Sequence, residues 1–175
     1  MALRLCGACM VSTALVLVGG CAGEKPGTKP LPERTAEATA SRAPDAEHTA
    51  ALAAYRAMWR DLTKASETSD AAFPTLGDHA TGGALELMKY GLRKGKEGKV
   101  VSKGVPRVNP KIIRATSREV MLQDCVDARN WLEYKLNGEL KNNVPGSHFR
   151  ADATVRRSEE LWKVSDLYMH ESGSC

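Results

Sequence analysis

Residues Phe149-Arg150-Ala151-Asp152-Ala153-Thr154-Val155-Arg156 alternate apolar and polar side chains without a break. Successive side chains of a strand point to opposite faces, so this octet buries Phe149, Ala151, Ala153 and Val155 and wets the other four. Trp162, Val164, Asp166 and Tyr168 repeat the period and predict a further half-buried strand that closes the chain. Upstream, Val120 to Val126 reads as a strand. So does Trp131 to Leu136, which runs into Asn137-Gly138, a hairpin-turn pair. Val105, Val108 and Ile112/Ile113 form an extended segment interrupted by Pro106 and Pro110, as on an edge or bulged strand.

Before Gly98 the period is helical. Leu52, Tyr55, Trp59 and Leu62 fall on one stripe of a 3.6-residue repeat, with Asp45 or Thr49 as cap and Ser66 to Ser69 as the end. A turn around Phe73 to Asp78 leads to a second helix. Thr81 caps it, Leu85, Met88 and Leu92 face inward, and Gly95 terminates it. Helices first and strands in a run predict an α+β fold, helices packed on an antiparallel sheet. All nine aromatic residues lie at or after Tyr55, so no core starts much earlier. A chain of 175 residues has room for one such domain and an extension. With 42% hydrophobic and 26% charged residues it is neither wholly disordered nor a multi-span membrane protein.

The extension carries an address. Arg4 precedes an apolar stretch from Leu5 to Val18, too short for a spanning helix of roughly 20 residues but right for a signal segment. It ends in Leu17-Val18-Gly19-Gly20-Cys21, which resembles the bacterial lipobox. That resemblance implies cleavage between Gly20 and Cys21 and a diacylglyceryl group on the Cys21 thiol. The small glycines leave room for a peptidase, and two acyl chains anchor durably where one binds reversibly. Cys6 and Cys9 fall inside the removed segment. Residues 22–47 hold four of the eight prolines and only one large aliphatic, Leu31, so they read as a spacer of roughly 27 Å r.m.s.. The expected organisation is a signal peptide over 1–20, a tether over 21–47 and a folded domain over 48–175, on the extracytoplasmic face of the cell membrane.

Two N-terminal helices followed by a curved antiparallel meander is similar to the NTF2-like (SnoaL-like) cone. Tyr55-Arg-Ala-Met-Trp59, His79-Ala-Thr-Gly82, Val101-Ser-Lys-Gly104, Asp124-Cys125, Trp131 and Trp162-Lys-Val164 resemble small actinobacterial secreted lipoproteins of that class. The resemblance implies a fold and a location. It attaches no catalytic residue to this sequence.

Cys125 and Cys175 are the cysteines left in the folded part, and outside the membrane two thiols most simply form a disulfide. Zinc would need His148 or His170 beside them, and no C-x₂₋₄-C or H-x₃₋₅-H spacing exists. Tyr55, Trp59, Trp131, Trp162 and Tyr168 either line an apolar pocket or simply fill the core. Asp166, in phase with Trp162 and Val164, either points into the concave side as an acid or pairs with a cation at the rim. The other titratable groups for such a site are Asp124, Asp127, His148, His170 and Glu171, and Asp124 and Asp127 fall on opposite strand faces. No acid–base pair, phosphate loop or Ser/His/Asp order is present, and no cofactor is implied. Arg93, Lys94, Lys96, Lys99 and Lys103 against Glu97 make a basic stretch. It is either a solvated loop or a contact for anionic lipid, and without interleaved aromatics it does not point to nucleic acid. The expected partners are membrane lipid through Cys21 and either an apolar small molecule or an envelope protein. The module therefore reads as a binding domain, with a small extracytoplasmic enzyme or an envelope scaffold as alternatives.

Overall fold

The computed structural model describes residues 43–175. The expected signal segment, the lipidation cysteine Cys21 and the tether as far as residue 42 lie outside the described residues. No helix among the described residues is long and apolar enough to cross a membrane.

Three helices come first: α1 (Ala43–Ser66), the short α2 (Leu76–His79) and α3 (Gly82–Glu97). Six strands follow: β1 (Val100–Lys103), β2 (Lys111–Ala115), β3 (Glu119–Asp127), β4 (Leu132–Lys135), β5 (His148–Ser158) and β6 (Leu161–Met169). β2, β3, β5 and β6 form an antiparallel sheet in that order, and β1 pairs with β4 in a separate two-stranded ribbon. The fold is α+β, helices on one face of an antiparallel sheet, in the helices-then-strands order that the sequence predicts. Bulges at Ile113 in β2 and Ser165 in β6 break the ladder register, and such insertions bend a sheet.

The core is the predicted one on its main stripes. Tyr55, Met58, Trp59 and Leu62 of α1 pack with Met88 and Leu92 of α3 against Val120, Leu122 and Val126 of β3 and Phe149, Ala151, Ala153 and Val155 of β5. Three helix ends differ from the sequence reading. α1 already includes Ala43, so Asp45 and Thr49 lie inside it and do not cap it, and residues 43–47 belong to the helix and not to the tether. Thr81 precedes α3, but its side chain makes no capping bond; its backbone N–H donates instead to the Val164 carbonyl at 2.8 Å. Gly95 does not end α3, which continues to Glu97. A Cβ at Gly95 would stand 2.6 Å from Ser69 Oγ and 3.3 Å from the Val100 carbonyl oxygen, so glycine is required for close approach. The left-handed turn after the helix is made by Lys99, at φ 54°.

β1 was legible only as the start of a period-two region, because at four residues it is too short to show alternation. The predicted strand from Val105 to Ile113 shortens to β2. Pro106 and Pro110 cannot donate to a ladder, and between them Arg107 alone pairs with β3, exchanging backbone hydrogen bonds with Asp127 at 2.9 and 3.0 Å.

Candidate functional site

A groove of about 350 Å³ opens between the end of α1, one side of α3, the β1–β4 ribbon and β6. Leu62, Met88, Leu92, Trp131, Leu167 and Met169 make its apolar walls. That volume lies within the range of about 300–1,000 Å³ of small-molecule sites. Gly91 lines it, and a Cβ there would meet no atom within 4 Å. Four side chains of the wall, Ser66, Ser69, Glu133 and Lys141, are already engaged. Ser66 Oγ donates to the Thr63 carbonyl at 2.7 Å and accepts the Trp131 indole N–H at 3.2 Å. Ser69 Oγ donates to the Val100 carbonyl at 2.6 Å, and Glu133 pairs with Lys141 at 2.7 Å. The hydrogen-bond partners of the Ser66 and Ser69 hydroxyls are backbone carbonyls and the Trp131 indole, none of them a base.

Of the aromatic residues singled out in the sequence, Trp131 lines this groove. Tyr55 and Trp59 pack edge to face in the core at 6.3 Å, and Trp59 meets Trp131 and Phe149 in turn at 6.3 and 6.4 Å. Trp162 is also buried in that cluster. Asp166 and Tyr168 do not point inward. β6 pairs Val164 with Val155 and Asp166 with Thr154, so Ser165 is the extra residue of a bulge. One inserted residue inverts the phase of everything after it. Asp166 therefore turns outward and pairs with Arg156 at 2.9 Å, while Tyr168, 64% exposed, lies edge-on to His170. The inward-facing residues beyond the bulge are Leu167 and Met169 of the groove.

The acid that does enter the core is Asp124, only 3% exposed. It lies in phase with Val120, Leu122 and Val126, which is the signal that marks it in the sequence. Its Oδ1 accepts the Asn109 backbone N–H at 3.0 Å. Its Oδ2, the Tyr55 hydroxyl and the Trp59 indole nitrogen make no hydrogen bond of normal geometry, although the hydroxyl is near enough to feel the carboxylate charge. Burial pushes the Asp124 carboxyl above its ordinary value, against the Asn109 bond and Tyr55, which pull it down. Burial, then the Asp124 charge, drives the Tyr55 hydroxyl far above its own. A raised acid favours folding in its protonated form, so this contribution is present at low pH and is lost as pH rises through the raised pKa. Asp124→Asn keeps the carbonyl for Asn109 and removes the charge. It is expected to stabilise the fold at pH 7 by on the order of 1 kcal/mol, with no gain near pH 3, in paired thermal melts. A lower melting temperature for the variant at pH 7 would mean that the buried charge is favourable. Asp127, by contrast, is held far below the carboxylate range by hydrogen bonds from Arg129 and Arg107.

Cys125 of β3 and Cys175 are bonded to each other, with Cα atoms 5.9 Å apart. The His148 ring and both sulfurs lie within 4.8 Å of one another, but sulfurs committed to a disulfide are not metal ligands. His170 turns the other way, to Asp152 at 2.6 Å.

No protein-family model matches the sequence, and no curated protein does. Solved structures do. The chain is similar to an NTF2-like protein from Cytophaga hutchinsonii (16% identity, 67% of this chain and 95% of that one, TM-score 0.40). It is similar to a hexachlorocyclohexane dehydrochlorinase from Novosphingobium barchaimii (16% identity, 73% and 92%, TM-score 0.41). It is also similar to the intermembrane-space region of a chloroplast protein (13% identity, 70% and 97%, TM-score 0.47). At these identities and scores none of them carries an activity over to this chain.

Proposed function

We propose that this chain is a lipid-anchored protein of the extracytoplasmic membrane face, held through diacylglyceryl-Cys21, and that its folded domain binds an apolar small molecule. The observation that supports binding is the groove itself: apolar walls from four elements, open space beside Gly91, and Ser66, Ser69, Glu133 and Lys141 already hydrogen-bonded or ion-paired. The enzymatic alternative has one raised carboxylate among the described residues, Asp124. That group does not line the groove. A scaffold role requires no open groove at all.

A neutral apolar dye such as N-phenylnaphthylamine tests the reading on the full chain. A native-state ligand at a hundred times its Kd stabilises by about 2.7 kcal/mol, so saturating dye is expected to raise the melting temperature by several degrees. Neither saturable dye emission nor any thermal shift would leave the scaffold role standing.

A further inference from the structure

The groove does not end at the last turn of α3. It continues into a shallower depression lined by Lys99, Lys135 and Leu136, and the two share Gly98, Val100 and Lys141. The trough is therefore apolar along its length and cationic at one end. Three of the four lysines along the trough are already matched by acids, Lys94 by Glu97 and Lys141 by Glu133, both at 2.7 Å, and Lys135 by Glu139 at 3.3 Å. Lys99 has no carboxylate partner among the described residues. Its backbone φ of 54° lies in the left-handed region, where glycine or asparagine is ordinary and a long side chain is disfavoured. The glycine stands one residue earlier, at Gly98 with φ −74°.

We propose, resting on the groove as a ligand site, that its ligand is a long-chain carboxylate. The alkyl chain lies along Leu62, Met88, Leu92, Trp131 and Leu167, and the head sits at Lys99. One unmatched cation calls for one negative charge, which favours a carboxylate over a phosphate dianion. Desolvating the chain supplies the affinity, and the charge match at the open end sets the orientation. The same feature disfavours a cationic head, which Lys99 would repel.

Four ligands of equal chain length separate the possibilities on the full chain: dodecanoate, dodecanol, dodecyl phosphate and dodecyltrimethylammonium, each below its micelle-forming concentration. Saturable change in tryptophan emission is the readout. Dodecanoate is expected to bind about tenfold more tightly than dodecanol, and dodecyltrimethylammonium more weakly than either. Lys99→Gln is expected to erase the advantage of dodecanoate and leave dodecanol binding as it was. Lys99→Gly, which relieves the left-handed backbone, is expected to do the same while raising the melting temperature. Equal binding of dodecanoate and dodecanol, or a preference that survives both Lys99 variants, overturns the carboxylate assignment and leaves the groove reading intact. Tenfold tighter binding of dodecyl phosphate overturns the single-charge match. Binding of none of the four overturns both readings together.

Discussion

Reducing the Cys125–Cys175 bridge is expected to cost this domain about 4 kcal/mol, the value of the chain-entropy model for a loop of this size. The two cysteines are 50 residues apart in sequence, so the bridge removes a long-loop closure from the unfolded ensemble. It also fixes the chain end. After β6 the tail passes β5, with the Gly173 N–H donating to the His148 carbonyl and the Arg150 N–H to Ser174 Oγ, both at 2.8 Å, to reach Cys125 on β3. Both cysteines are exposed, so a reductant reaches them without global unfolding. Urea unfolding of oxidised, reduced and Cys125→Ser/Cys175→Ser protein measures the effect. The reduced and serine forms should share one midpoint, well below that of the oxidised form. A difference of less than about 1 kcal/mol would show that the tail's hydrogen bonds hold it in place unaided.

Cys21→Ser is expected to abolish stable membrane partition. Each buried CH₂ contributes about 0.8 kcal/mol, so the difference between two acyl chains and none exceeds what any exposed basic loop supplies at about 1 kcal/mol per charge. Fractionation should find the variant either as unprocessed precursor or free of the membrane. Unchanged processing together with unchanged membrane partition would remove the lipid anchor from the account.

The parts of this fold that were legible in the sequence are those where one periodicity runs unbroken past one core. β5 keeps strict alternation over Phe149 to Val155 because a single face is covered by α1. The stripe Tyr55, Trp59 and Leu62 works for the same reason. What was not legible is where the backbone leaves its period. Ser165 gives no local sign that it will be inserted. Its hydroxyl bonds only after folding, to the Thr154 carbonyl at 3.2 Å and Asp166 Oδ2 at 2.8 Å. A strict count of two therefore sends Asp166 and Tyr168 to the wrong side. The phase of Asp124 carried a signal that the sequence reading did not use: an acid between Leu122 and Val126 in a buried alternation must enter the core. Gly95 illustrates the opposite failure. A glycine in a helix's last turns reads as a terminator, but the close approach of Ser69 that demands it is a tertiary contact. The groove itself combines residues as distant as Leu62 and Met169, and no local pattern joins them.

Gly91→Phe tests the central claim most directly, because it places a ring at the groove wall from a position where an added Cβ meets open space and it changes no tryptophan. Dodecanoate titrated against the wild-type chain is expected to change tryptophan emission saturably, through Trp131 on the groove wall. The Gly91→Phe chain is expected to fold, with a melting temperature at or above that of the wild type, and to give no saturable change. Equal saturable responses from the two chains would place the ligand elsewhere and contradict the account.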